Sequence, residues 1–312
     1  MSGWHSSLVP LKFNVSDLTL FRSHLPLLVR GVSLADHEPI TEASVVPDAA
    51  RQPGVAGCFV HALPIAHALP LLSTVQGFLR YVPLQYRHCY IDLTGSFEQY
   101  AQKFSGKTRS TILRKVRKFE AHSGGEIKWR VYRSAVELKE FHHHARAVSE
   151  KTYQERLLDA GIPAEPEFVD GMLALAAQDQ ARGYLLFDGE RPVSYLYSPV
   201  QDGAYLYAYL GYDPEYLSWS VGTVLQWLAV ENMFEEKRAP FFDFTEGQSD
   251  HKQLFATHEV ACANVMFVRK TTYALALLYG HAGFDRAISA LGALAQRWGL
   301  KAKIRRLLRA SA

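Results

Sequence analysis

The stretch from Tyr205 to Gly247 constrains the fold of this chain more than any other, because strand, turn, helix and strand signals follow one another within it. Ala204 to Leu210 put Tyr205, Tyr207 and Tyr209 on one face and Leu206, Ala208 and Leu210 on the other, the period-two pattern of a single strand. Gly211-Tyr212-Asp213-Pro214 ends pairing, since proline lacks the ladder donor and restricts the residue before it. Val221, Val224, Leu225 and Leu228 then recur at helical spacing, so Gly222, preceded by Ser220, falls in the first turn of a helix that follows a strand. The first amides of a helix have no internal acceptors and the macrodipole adds partial positive charge. Such a turn suits a phosphorylated ligand, and glycine lets it approach the backbone. The alternative is a capped core helix after a turn.

The neighbouring elements extend the pattern. Gly183 to Phe187 lead into Asp188-Gly189, a tight hairpin signal, and then into Arg191 to Tyr197; Asp202-Gly203 makes a second such turn. Three antiparallel strands thus precede the glycine helix, Phe241 to Phe244 form a fourth, a short helix near Ser249 to His251 carries Lys252, and Val265 to Val268 form a last strand. Upstream, Gly77 to Tyr86 and His88 to Leu93 read as strands, and Ser96 with Gln99 as a capping box. Gly106 breaks that helix, which resumes near Thr108 and ends near Ser123-Gly124-Gly125, before a strand at Glu126 to Tyr132. Ala135 to Glu155 and Phe168 to Arg182 read as two helices. Before about residue 75, Pro10, Pro26, Pro39, Pro47, Pro53, Pro64 and Pro70 punctuate short apolar runs, which predicts short strands and helices joined by loops.

This order resembles the acetyltransferase fold. On Ser149 to Gln154, Asp188-Gly189, Gly211 to Tyr216, Ser220 to Leu225, Asp243-Phe244 with Gly247, and Lys252, the chain is similar to the GNAT superfamily of acyl-CoA-dependent N-acyltransferases. Within it, the chain resembles the CelD-like branch, named for an association with cellulose biosynthesis. Tyr90 to Leu93, Ser96-Phe97 and the basic stretch around Arg109 also fit. Two departures stand out: Val221 replaces the branch's usual proline, and Trp219 and Val224 stand where the wider superfamily has Gln/Arg and a second small residue. The resemblance implies an α/β fold with a mixed, mostly antiparallel sheet flanked by helices. It divides the chain into an N-terminal α/β region (1–122), a degenerate second half by analogy with Fem-type transferases, a core (123–270) and C-terminal basic amphipathic helices (271–312).

The resemblance also implies roles. Ser220, Val221, Gly222, Thr223 and Val224, with Tyr212 and Lys252, would hold the donor's pyrophosphate, and the Tyr209 to Tyr212 region would orient its thioester. Asp243 or Glu246 would handle protons, the alternative for Asp243 being a structural carboxylate in the turn to Gly247. Tyr205, Tyr207 or Tyr209 would serve as the acid for the thiolate, unless the stripe is simply a sheet face, and Tyr153, Gln154, Tyr205 and Tyr207 would contact the acceptor. The implied reaction is direct transfer, in a ternary complex, from an acyl-CoA (most simply acetyl-CoA) to an amine of a small molecule or envelope precursor. Donors carried by acyl carrier protein or aminoacyl-tRNA, or a non-catalytic envelope-assembly role with a decayed cofactor site, are the alternatives.

Composition sets limits on these readings. The chain has 312 residues, 48% of them hydrophobic, which suffices for more than one core, and its net charge of +3 requires neither nucleic acid nor membrane as partner. Cys58, Cys89 and Cys262 are odd in number and widely spaced, which predicts free thiols, a reducing compartment and no structural zinc. No secretory signal or membrane-spanning run is evident, so a cytoplasmic protein is expected. Ser105-Gly106-Lys107-Thr108 lacks the earlier glycine and the preceding strand of a P-loop, and consecutive His142, His143 and His144 on a helix cannot converge on one metal. Two basic stretches remain: Lys107 to Lys118, and Arg297 to Arg309 with Leu300, Ile304, Leu307 and Leu308 on one face. The latter predicts peripheral contact with anionic lipid or a solvated helix.

Overall fold

The computed structural model describes residues 3–15, 18–34, 46, 50, 54–152, 161–247 and 249–297. They form two compact units, one drawn from Met1–Val32, Glu38–Gln85 and Ala261–Ala312, the other from Ser33–His37 and Tyr86–Val260. This partition cuts across the linear division expected from sequence, because the last strand joins the N-terminal residues and the helices after Leu93 join the core.

In the first unit, β1 (His5–Val15) and β2 (Leu18–Gly31) form a long antiparallel hairpin, β3 (Gly57–Pro64) runs parallel to β2, and β12 (His258–Arg269) pairs with β3. β4 (Leu72–Val75) pairs with the start of β5 (Phe78–Asp92). The expectation of short, proline-broken elements before residue 75 is therefore corrected. Pro10 and Pro26 lie inside the β1–β2 ladder, opposite His24 and Leu8, so these prolines sit within long strands and do not end them. The first half of helix α7 (Thr272–Arg297) packs Ala274, Leu278 and Ala282 on this sheet. No helix among the described residues is long and apolar enough to cross a membrane. The basic positions beyond Arg297 lie outside the described residues.

The second unit contains the site. After β5 come α1 (Phe97–Gln102), with the expected Ser96/Gln99 capping box, and α2 (Gly106–His122), capped by Ser105. β6 (Lys128–Tyr132), α3 (Ala135–Ser149) and α4 (Pro166–Ala177) follow, then the meander β7 (Ala181–Asp188), β8 (Arg191–Gln201), β9 (Ala204–Leu206) and β10 (Tyr209–Tyr212). A 3₁₀ turn at Pro214–Trp219 leads into α5 (Val221–Glu236), β11 (Phe241–Asp243) and α6 (Asp250–Phe255). Residues 181 and 182 begin β7 and do not prolong the preceding helix, as their spacing had suggested, because Asp179 takes a left-handed φ of 58° and turns the chain.

β7 and β8 are buried along almost their whole length because helices cover both faces of the sheet. Tyr184, Leu186, Val193 and Leu196 enter one core with α1, α2 and α5, while Leu185, Phe187, Tyr195 and Tyr197 enter another with α3 and α4. Gly211 is obligatory in this packing: a Cβ there would lie 2.4 Å from Cε1 of Tyr195, which is 2% exposed and cannot withdraw. Gly211→Ala should cost about 1–3 kcal/mol by overpacking, measured as a shift of the urea midpoint, and an unchanged midpoint would show that the Tyr195 ring can yield.

Candidate active site

The site arises where two strands that begin side by side part company. β9 and β11 run parallel with Phe241 opposite Ala204, Phe242 opposite Tyr205 and Asp243 opposite Leu206; the last rung is Tyr207 N–H donating to Asp243 O at 2.8 Å. Beyond it the chain swings away, and β10 pairs antiparallel with β8 (Tyr209 opposite Tyr197, Tyr212 opposite Ser194). On the other side Thr245 and Gly247, with φ of 57° and 92°, carry the β11 chain towards α6.

A cavity of about 360 Å³ is lined by Tyr207, Leu210 and Tyr212 from the β9–β10 segment, Leu217 and Ser220 to Thr223 from the turn and α5, and Ser249, His251 and Lys252 from α6. Its volume is at the lower end of small-molecule sites. The Val221 and Gly222 amides at the start of α5 have no protein acceptor among the described residues, whereas Thr223 and Val224 N–H both donate to Ser220 O, at 2.9 and 3.1 Å. Ser220 is in the left-handed region (φ 54°) and makes no side-chain cap, so nothing of its own closes that terminus. Among the described residues no acidic side chain lines the cavity. Its geometry and charge suit an anion.

The structure sorts the sequence-predicted residues. Ser220, Val221, Gly222, Thr223, Tyr212, Lys252 and Tyr207 come together on this wall. Val224 does not: its side chain is fully buried in the core beneath. The tyrosine stripe is broken at Tyr207–Ala208, because Tyr207 follows β11 while Tyr209 follows β8. Tyr205 is consequently buried, its hydroxyl donating to Glu236 at 3.1 Å, and is withdrawn from any acceptor contact. Tyr209 lines a different cavity of about 540 Å³, with Phe168, Met172, Leu175 and Tyr197 among its walls. Tyr153 and Gln154 lie outside the described residues.

Asp243 is buried and its Oδ1 accepts from His88 at 2.5 Å and from Thr245 N–H at 2.6 Å, so it holds the turn after β11 and does not line the cavity. Glu246 is exposed on that turn; its carbonyl, with that of Phe244, accepts from Lys252 Nζ, each at 2.7 Å. Burial lowers the Lys252 pKa, with Asp243, Cys89 and Glu246 opposing. Asp213, expected as a turn-former, caps the 3₁₀ turn through Glu215 N–H at 3.2 Å. It is 1% exposed and accepts from Lys151 at 2.9 Å and Arg191 at 2.6 Å. Burial would raise its pKa, but those two cations more than compensate and hold it below the usual value.

Two histidines outside the predicted set of site residues also contribute. His88 meets Asp243 across 155 residues through the β5–β11 pairing, and no local pattern announces that. His251, on the short helix that carries Lys252, lines the cavity and bonds the fully buried Gln226 of α5. Burial, and then the charge of Lys115, draw its pKa below the usual 6.5. The unfolded chain therefore takes up this proton first, so the His251 contribution is complete above about pH 6.5 and is lost as pH falls through the lower folded value. Thermal unfolding at about pH 7.5 and about pH 5.5 should show a smaller acid loss for His251→Gln than for the parent; equal losses would contradict this assignment.

Residues 106–253 match the family model for an acetyltransferase (GNAT) domain. No curated protein matches the chain. Among solved structures, FemX aligns with a TM-score of 0.54 at 10% identity, over 88% of this chain and 90% of its own. L-PGS from Bacillus licheniformis aligns at a TM-score of 0.41 and 12% identity, over 63% of this chain and 65% of that one, so this chain spans less than two thirds of its length. A GCN5-related N-acetyltransferase from Kribbella flavida aligns at a TM-score of 0.34 and 14% identity, over 62% of each chain. At 10% identity the FemX likeness establishes the fold. Residues 106–253 thus resemble an acetyltransferase (GNAT) domain, set in a chain that shares the fold of FemX.

Proposed function

We propose that this chain is an acyl-CoA-dependent acyltransferase, most simply using acetyl-CoA, that acylates an amine of a small molecule or envelope precursor by direct transfer. The observation that carries this reading is the cavity at the β9–β11 parting where, among the described residues, the Val221 and Gly222 amides at its edge have no acceptor and no acidic side chain stands on the wall. The thioester, when bound, supplies an activated acyl group and a thiolate leaving group. The α5 terminus holds the diphosphate, and Lys252 adds positive charge on the α6 side.

Two wall residues have protonation states suited to the transfer. Burial raises the Tyr207 pKa, so the phenol stays protonated at neutral pH and serves as proton donor to sulfur. His251, with its lowered pKa, stays neutral and serves as acceptor for the amine proton. Asp243 and Glu246, the carboxylates favoured from sequence, then act on this site by shaping the turn that Lys252 pins. Calorimetry with CoA and acetyl-CoA tests the reading: heat of binding and a rise in unfolding temperature at about 1 mM ligand are expected. No heat and no thermal shift would favour a scaffold.

A second reading has one observation in its favour. α2 carries cations without acidic partners among the described residues, so a donor delivered by an acyl carrier protein or aminoacyl-tRNA would find a complementary surface. Such a carrier-dependent enzyme would bind free CoA weakly.

A further inference from the structure

The hairpin of β1 and β2 has two faces of different character. Val9, Leu11, Leu25 and Leu27 enter the core beneath Ala274, Leu278 and Ala282 of α7. The alternation of a strand sends the residues between them to the other face, where Leu8 stands opposite Pro26, Pro10 opposite His24 and Lys12 opposite Arg22, all six exposed. An antiparallel sheet with one wet face ordinarily sets polar side chains there. Here Leu8 is 66% exposed, and Leu20, left without a partner where the register shifts between Phe13 and Asn14, is 59% exposed.

Charge on this face is of one sign. Lys12 and Arg22 are direct cross-strand neighbours and form no ion pair among the described residues, and like charges set opposite one another destabilise a sheet until an anion lies across them. Among the described residues neither strand carries an acidic side chain; Asp17, between them, lies outside the described residues. A solvated face intersperses both signs, and a nucleic acid would use the two cations but not the leucines. Cations and exposed leucines together match the boundary of an anionic bilayer, where phosphates meet acyl chains. β1 is the last strand of its sheet, and Pro10 and Lys12 on that edge oppose addition of a strand from a second copy. We infer that the exposed face of the β1–β2 hairpin docks on an anionic lipid surface, with Lys12 and Arg22 meeting headgroup phosphates and Leu8 and Leu20 entering the acyl boundary. Docking there is independent of the donor assigned to the cavity.

Co-sedimentation of the full chain with vesicles of phosphatidylcholine alone, and of phosphatidylcholine mixed equally with phosphatidylglycerol, provides the test. Binding to the anionic vesicles is expected to exceed binding to the neutral ones by about thirtyfold, the scale of two cations at such a surface, and to fall as salt rises. Lys12→Gln with Arg22→Gln should abolish that preference. Lys12→Glu separates lipid contact from a structural role, because it makes the cross-strand pair attractive: the urea midpoint of the free protein should rise while binding to anionic vesicles falls. Leu8→Ser with Leu20→Ser should weaken vesicle binding and leave the unfolding transition unaltered. Equal binding of the parent to both kinds of vesicle would overturn the inference. A preference for anionic vesicles that survives the double glutamine variant would also overturn it, since the lipid contact would then lie elsewhere on the chain. A concentration-dependent dimer that Leu8→Ser with Leu20→Ser dissolves, with vesicle binding unchanged, would assign the face to a second copy and overturn the lipid assignment.

Discussion

Substituting Gly222 with tryptophan is expected to abolish CoA binding, a loss of at least about a hundredfold or roughly 2.7 kcal/mol, while the cooperative unfolding transition persists. A Cβ on residue 222 would lie 3.5 Å from Tyr212 Cδ1 and 3.8 Å from Leu210 Cδ2, ordinary contact distances, so the backbone of α5 accepts a side chain there. Tyr212 and Leu210 both line the 360 Å³ cavity, and an indole growing from that point occupies the space at the free amides. Gly222→Ala, which adds only the tolerated methyl, should keep most of the affinity. Calorimetry on both variants decides: undiminished CoA binding by Gly222→Trp would mean that the diphosphate lies elsewhere.

Glu236→Ala should destabilise the fold by about 3–5 kcal/mol, the cost of leaving a buried charge without its partner. Glu236 ends α5 and accepts from Arg182 Nε through both oxygens (2.9 and 3.0 Å), from Arg133 at 3.1 Å and from Tyr205 at 3.1 Å. The Arg182 side chain is 2% exposed and, among the described residues, retains only Asp179, at 2.8 Å, as a carboxylate partner once Glu236 is removed. Burial opposes ionisation of both partners, yet their mutual contacts keep the Glu236 pKa below and the Arg182 pKa above the usual values. Replacing the pair together, Arg182→Met with Glu236→Leu, should recover much of the lost stability because no charge is then stranded. Denaturant melts of the single and double variants test this, and a single variant as stable as the parent would show that water reaches Arg182. The cluster fastens the far end of α5 to β7, so it also steadies the helix whose first turn forms the anion site.

Much of the site was legible because its signals are local. Pro214 after Asp213, Gly222 behind Ser220, and the apolar repeat from Val221 onwards each act within a turn or two, and those constraints survive in any tertiary setting. The capping boxes at Ser96 with Gln99 and Ser134 with Glu137 have the same locality. The tyrosine stripe was misread for the opposite reason. Period two predicts faces only while one strand keeps one set of partners, and the change of partner from β11 to β8 between Tyr207 and Tyr209 sends neighbouring tyrosines to the core, to the cavity and to a second cavity. The prolines before residue 75 misled similarly, since whether a missing amide matters depends on which strand lies alongside.

By itself the sequence determined the order of elements, the caps, and the glycine-bearing helix start with its unpaired amides, because these follow from backbone chemistry over a few residues. Only the tertiary structure decided which side chains face the cavity. The pairing of His88 with Asp243, the place of His251 on the wall, the withdrawal of Tyr205 and the approach of Lys115 to Thr223 all depend on segments brought together from 25 to 155 residues apart. Such pairings are set by strand register and helix packing, which couple the whole unit and leave no trace in any single window of the chain.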